Sequence, residues 1–234
     1  RVALWRGDLT ALRAGAIVNA ANSAMLGCRV PGHACIDNVI HAVAGPGLRA
    51  ECAAYMDSRG GRPEETGRAL LTGGYHLPAA HVIHTVGPVV EGEVGEEHRR
   101  LLASSYRSVL DAAEAAELDS VGLCSVSTGV FGYPKEEAAP LVLDTIEAWL
   151  AAHPAGRMRI VVCAFAEVDV IATLDVLEAL VHAYPELARL GLDELVPFQA
   201  SAHRRWAESF NAWLARKSPG RPGADLDWPL PAGL

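Results

Sequence analysis

Ala16-Ile17-Val18-Asn19-Ala20-Ala21-Asn22, followed by Gly27-Cys28-Arg29-Val30-Pro31-Gly32-His33-Ala34-Cys35-Ile36-Asp37-Asn38, is the stretch that decides the fold. An apolar run of strand length passes through a loop rich in turn residues into a segment, Asp37–Val43, with helical spacing. Asn19, inside the strand, reads as a structural amide that satisfies nearby backbone. The same alternation continues outward in both directions. Val2–Trp5, Arg68–Thr72, Val82–Val86, Ser120–Val126 and Arg159–Phe165 read as strands. Pro46–Asp57, Glu96–Glu117, Lys135–His153 and Val168–Tyr184 read as helices, with a break at Gly45-Pro46 and Pro140 to be accommodated near the start of the fourth of these. Strands alternating with helices at this spacing predict an α/β protein, three-layer α/β/α with a mixed, mostly parallel central sheet. Ligands in such folds sit at the carboxyl ends of the strands. The loops Asn22–Cys35 and Ser127–Pro134 both fall there.

The chain has 234 residues, half of them apolar, and a mean hydropathy of +0.17, enough for one substantial core with an appendage. The core is expected over 1–185, a helical extension over 186–217 and a flexible tail over 218–234. Trp206, Phe210 and Trp213 in the extension recur at helical spacing and read as an amphipathic face. No apolar run reaches the ~20 residues of a membrane span, so no membrane partner is expected. The chain starts at Arg1 without an initiator Met and shows no signal peptide, which leaves room for residues upstream. A formal charge of −8 argues against a nucleic-acid partner, whose phosphates call for clustered Lys and Arg. It still permits a small anion held by backbone amides and helix ends. Five cysteines, an odd number without a disulfide-like framework, fit a reducing cytoplasm.

Cys28, His33 and Cys35 put two thiols and an imidazole within eight residues. These are zinc ligand types, and three protein ligands leave a fourth position for water or substrate. The spacing matches no common four-ligand motif, so on spacing alone small buried cysteines beside a surface histidine are the favoured reading. A Cys28 or Cys35 nucleophile activated by His33 is a third, less easily pictured at such short separations. His41, His84, Cys52, Cys124 and Cys163 show no metal spacing and read as packing residues, with His84 bonded to sheet backbone. Gly129 and Gly132 would let the amides of Ser127, Thr128, Val130 and Phe131 approach phosphate oxygens without a Cβ in the way. Phe165, ending the last strand, is either a platform beside a base or an ordinary core aromatic.

Five segments in order, Gly7-Asp8-Leu9-Thr10, Val18-Asn19-Ala20-Ala21-Asn22, Ile40-His41-Ala42-Val43-Ala44-Gly45-Pro46, Val82-Ile83-His84-Thr85-Val86-Gly87-Pro88 and Ser127-Thr128-Gly129-Val130-Phe131-Gly132-Tyr133-Pro134, resemble the macrodomain family. The likeness is to MacroD-type ADP-ribosyl hydrolases and runs from about Leu4 to Tyr184. Common members have a glycine-rich run where this chain has Cys28 to Cys35. The form found here resembles the zinc-containing branch of bacteria and fungi, whose members remove mono-ADP-ribose from modified proteins.

The resemblance implies one Zn²⁺ per chain on Cys28, His33 and Cys35, with ADP-ribose and mono-ADP-ribosylated protein as partners. It implies that Asp8 and the Leu9 amide receive adenine, that Asn22 orients the distal ribose, and that Ser127, Thr128, Gly129, Val130 and Phe131 wrap the diphosphate and that ribose. Phe131 would pack on the ribose and Tyr133 would close that side. Each role has a plainer counterpart: Asp8 as a cap and Asn22 as a turn residue. Asp37 is either a base or water-positioner, or an acidic residue favoured at a helix start. A zinc-dependent hydrolase acting on modified acidic side chains, with Asn22 and Asp37 catalytic, is the expectation. An ADP-ribose reader without turnover and an O-acetyl-ADP-ribose deacetylase are the alternatives.

Overall fold

Strands that are apolar on both faces must be covered on both, and the computed structural model, which describes residues 1–28, 30, 33 and 35–164, shows how. Its strands are β1 (Val2–Arg6), β2 (Ala16–Ala21), β3 (Ala69–Gly73), β4 (His81–Val86), β5 (Ser120–Leu123) and β6 (Arg159–Ala164). They form one sheet in the order β1-β6-β5-β2-β4-β3. All neighbours run parallel except β3 and β4, which pair antiparallel. That exception follows from the short link between them, since a parallel return would need a crossover of a dozen or more residues. The helices among the described residues are α1 (Ile36–Ala44), α2 (Pro46–Ser58), α3 (Glu96–Ala115) and α4 (Lys135–Ala152). The three-layer, mostly parallel architecture expected from the sequence is the one observed.

Side-chain alternation along the central strands splits the core in two. Ile17, Val82 and Val161 pack with Ile40, Leu48 and Cys52 from α1 and α2. Val18, Ile83 and Ile160 face the other way, onto Leu102, Val109 and Leu110 of α3 and Ile146 and Trp149 of α4. Asn19 and His84 lie two residues beyond Ile17 and Val82, so both turn toward α1. They are also register partners on β2 and β4, and neither has any exposed surface.

Most element limits agree with the sequence reading to within a residue or two. A single 3-10 turn over Leu9–Ala11 is new. β5 stops at Leu123 instead of Val126, and the Val126 N–H turns to the Tyr106 hydroxyl at 2.9 Å and the Cys124 carbonyl at 3.1 Å rather than to a neighbouring strand. Pro140 is held inside α4. The expected helix Val168–Tyr184, the extension 186–217 with its aromatics and the tail 218–234 lie outside the described residues. Among the described residues no helix is long and apolar enough to cross a membrane.

Burial pushes the His84 imidazole down to about 3, the nearby His41 adding to the effect. The folded chain therefore holds this ring neutral where the unfolded chain would protonate it, so stability rises with pH between the two values. It should be fully present above about pH 6.5 and fall as pH drops toward about 3. Urea midpoints at about pH 7 and about pH 4 should differ less in His84→Gln than in the parent protein.

Candidate functional site

Parallel strands end on one side of a sheet, and the turn after β1, the loop after β2 and the loop after β5 gather there. In the loop after β2, Asn22 is the hub. Its Oδ1 accepts the Ala24 N–H at 3.0 Å, and its Nδ2 donates to the Gly27 carbonyl at 3.1 Å and to Asp37 Oδ2 at 3.3 Å. Gly27 has φ +79°, a conformation other residues rarely take, and a Cβ there would stand 3.2 Å from the His41 ring.

Asp37 opens α1 without capping it. The N-cap is Cys35, and the Asp37 side chain, 4% exposed, turns inward instead. Its Oδ1 accepts Asn19 Nδ2 at 2.8 Å and lies 3.5 Å from His41 Nε2. Burial raises the Asp37 carboxyl, opposed by the Asn19 hydrogen bond and the His41 charge. Burial lowers the His41 imidazole, which the Asp37 charge opposes. The capping alternative for Asp37 is thus set aside by where its oxygens go. Two further sequence expectations are corrected here. Asn19 does not serve backbone: its amide meets Asp37 and His84 Nδ1, the latter at 3.1 Å. His84 likewise bonds side chains, Asn19 and, at 3.0 Å, Thr72 Oγ1.

Cys28, His33 and Cys35 come together in the same loop, all half-buried, with their ligand atoms within 4.8 Å of one another. Cys28 Sγ lies 3.4 Å from His33 Nδ1. Two ligands on a tetrahedral zinc, one sulfur and one nitrogen, stand about 3.6 Å apart from ordinary bond lengths, so the donor set fits that ion. Asn38 clamps the loop, donating to the His33 carbonyl at 2.8 Å and the Val30 carbonyl at 3.2 Å. Burial pushes the Cys35 thiol up, and Cys28 adds to the rise. His41, Cys52 and His84, expected only to pack, form a second set with ligand atoms within 4.8 Å of one another, deeper in the molecule. Burial raises the Cys52 thiol to about 12. The signal for His41 was available in the sequence: it stands four residues after Asp37 on one helix face.

The loop after β5 is strained. Ser127 has φ +67°, costly for a residue with a Cβ, and its hydroxyl is buried without a partner among the described residues. Gly132 at φ +73° brings its N–H to the Gly129 carbonyl at 3.0 Å, while the Tyr133 N–H reaches the Ser127 carbonyl at 3.0 Å. Thr128 donates to the Ser125 carbonyl at 3.2 Å. Gly129 and Val130 are left exposed at the rim. Phe131 packs against the buried cluster formed by Ala21, Met25, Met56 and Val86, which joins the two loops through one apolar patch. Tyr133, only 1% exposed, is a core residue and does not close the site. A small open cleft beside this loop is lined by Cys124, Ser125, Thr128 and Lys135 among others.

Asp8 follows β1 and caps the 3-10 turn, its Oδ1 accepting the Thr10 N–H at 2.9 Å and the Thr10 hydroxyl at 2.6 Å. Its Oδ2 has no partner among the described residues. Leu9 has its side chain in the core. Phe165 lies outside the described residues.

Residues 18–142 match the Macro domain family. The chain belongs to the macro domain family. This macrodomain is 46% identical over 166 residues to a protein of Treponema medium named protein-ADP-ribose hydrolase, a match covering 71% of this chain and 63% of that protein. The chain thus spans less than two thirds of that relative. Among solved structures, it superposes on the Oceanobacillus iheyensis macrodomain with ADP at TM-score 0.70 and 34% identity, covering 77% of this chain and 91% of that one. The Trypanosoma brucei macrodomain in complex with ADP-ribose matches at TM-score 0.64 and 40% identity, covering 75% of this chain and 68% of that one.

The strained loop depends on a buried hydroxyl. Tyr106 donates to the Cys124 carbonyl at 2.8 Å and accepts from the Val126 N–H at 2.9 Å, which turns the chain out of β5. Tyr106→Phe removes both of these bonds from the macrodomain core and leaves the Val126 N–H and the Cys124 carbonyl only their mutual 3.1 Å contact. It should lower stability by about 1–3 kcal/mol, read as a lower urea midpoint with an unchanged slope.

Proposed function

We propose that this macrodomain is a zinc-dependent hydrolase that removes mono-ADP-ribose from acidic side chains of proteins. The observation that carries the reading is the convergence of Cys28, His33 and Cys35 within the loop whose two ends are tied together by the Asn22–Asp37 hydrogen bond. Recognition of ADP-ribose alone does not call for a cysteine–histidine–cysteine set. The resemblance to a relative named protein-ADP-ribose hydrolase, and to a macrodomain solved with ADP-ribose, supports the hydrolysis and the ADP-ribose recognition in the proposal.

Cys28, His33 and Cys35 would hold the zinc, which when bound supplies Lewis-acid polarisation of the ribose–carboxylate linkage. The rest is the work of the chain itself. Asp8 Oδ2 and the Leu9 amide receive adenine. The backbone of Ser127, Thr128, Gly129 and Val130 meets the diphosphate, with the positive end of α4 following close behind. Phe131 flanks the distal ribose and Asn22 orients it. Asp37 accepts a proton from the attacking water as the new bond to the ribose forms and the protein carboxylate leaves as an anion. Burial favours such a base, because it lifts the carboxyl toward neutral pH.

Purified protein should carry close to one zinc per chain, and Cys28→Ala or His33→Ala should lose it; protein prepared without chelators yet free of zinc would remove the metal from the proposal. Cys35→Ala and chelated protein should still bind ADP-ribose within about tenfold while release from a mono-ADP-ribosylated carboxylate falls by ~100-fold or more. Asn22→Ala and Asp37→Ala should lose turnover on a similar scale. Tight ADP-ribose binding with no release from any such substrate would make the protein a reader. Turnover confined to O-acetyl-ADP-ribose would make it a deacetylase.

A further inference from the structure

The buried polar groups behind Asp37 form a chain with one consistent direction. Thr72 Oγ1 lies 3.3 Å from the Val82 carbonyl and donates to it. Asn19 Nδ2 can only donate and faces His84 Nδ1 at 3.1 Å, so the neutral ring carries its lone pair on Nδ1 and its proton on Nε2, which the Thr72 oxygen accepts at 3.0 Å. Asn19 Nδ2 has two hydrogens: one goes to His84 Nδ1 at 3.1 Å and the other to Asp37 Oδ1 at 2.8 Å. An amide flipped end for end would set its oxygen against the carboxylate. The orientation observed leaves Asn19 Oδ1 buried without a partner among the described residues, a cost accepted so that both hydrogens face forward.

We infer that Asn19 is a positioning residue for the Asp37 carboxylate, with its amide locked in place by neutral His84 and Thr72. This inference rests on the hydrolytic reading above. Asp37 is thereby gripped from two sides, Asn19 on Oδ1 and Asn22 on Oδ2, with Asn22 at the loop that faces the ligand and Asn19 at its back. Burial holds the His84 ring uncharged throughout the working range, which preserves its acceptor.

The same geometry weighs against a metal on His41, Cys52 and His84. Cys52 Sγ faces His84 Nε2 at 3.8 Å, so a metal there would take the Nε2 lone pair and move the proton to Nδ1. That proton would point at the Asn19 NH₂, and relieving the clash by an amide flip would turn Asn19 Oδ1 onto Asp37. The chain of hydrogen bonds and a second metal are therefore exclusive.

Zinc-loaded parent protein, Asn19→Ala, Asn19→Asp, His84→Phe and Cys52→Ala should be compared for ADP-ribose release, ADP-ribose affinity and metal content. Asn19→Ala and His84→Phe should lower kcat by about 10–100-fold with affinity changed less than about threefold, the pattern of a group that acts through another. Asn19→Asp, which opposes two carboxylates, should be at least as impaired. Cys52→Ala should keep its turnover and its zinc. Parent-level turnover in Asn19→Ala alongside an active parent would overturn the inference and leave the hydrolase reading standing. Loss of metal in Cys52→Ala or His84→Phe would overturn it in favour of a metal centre. Two NMR readouts hold even if the parent releases nothing, the result that would instead sink the hydrolase reading. The His84 ring should be protonated on Nε2 and bare on Nδ1, and the Asp37 carboxyl ¹³C resonance should move in Asn19→Ala and His84→Phe but not in Cys52→Ala. A His84 proton on Nδ1, or an Asp37 resonance indifferent to Asn19, would overturn the inference.

Discussion

A carboxylate taken out of water must be given hydrogen bonds in return, and Asp37 imposes that constraint on everything around it. Leaving such a charge unpaired costs several kcal/mol, more than most domains can absorb at one site. The protein meets the demand with two amides and a helix start. Asn19 and Asn22 supply the hydrogen bonds, and the first turn of α1 supplies the positive end of its dipole. Asn19 in turn needs a partner on β4, and the parallel register of β2 and β4 brings His84 opposite it.

From that anchor the site spreads to two loops of different character. The loop after β2 is tied by side chains: Asn22 to Gly27 and Asp37, Asn38 to the carbonyls of Val30 and His33. This leaves Cys28, His33 and Cys35 facing one another in a half-buried position, reachable from solvent yet fixed in relative placement. The loop after β5 is tied by its own backbone and tolerates a left-handed Ser127, the kind of strain that persists only where surrounding contacts over-determine it. Phe131 packs on the apolar cluster that contains Met25, so the two loops are coupled by apolar packing.

The layered fold was legible because its strands are apolar and short, its helices are long and amphipathic, and glycine or proline marks most junctions. The exceptions have local causes. The 3-10 turn at Leu9–Ala11 is too short to leave a periodic signal, and three residues beyond the end of β5 a tyrosine from α3 takes the Val126 N–H that a longer strand would have used. Tyr133 read as part of the ligand side because it sits in the glycine-bearing loop, yet its ring goes to the core, as Gly132 reverses the chain just before it.

Ligand types and their order along the chain are properties of the sequence, and so Cys28, His33, Cys35, Asn22 and Asp37 stand out as candidates in the sequence itself. Alternation with period two also determined which strand residues share a face of the sheet. What the sequence left undecided was every pairing between elements. Whether Asp37 would cap its helix or turn inward, whether Asn19 would serve backbone or a carboxylate, and whether His41, Cys52 and His84 would merely pack were questions of which strand lies beside which. Only the parallel registration of β2 with β4, and the packing of α1 and α2 over them, answered these. Residues 65 positions apart, Asn19 and His84, hydrogen-bond there because two strands pair, and no local spacing encodes that.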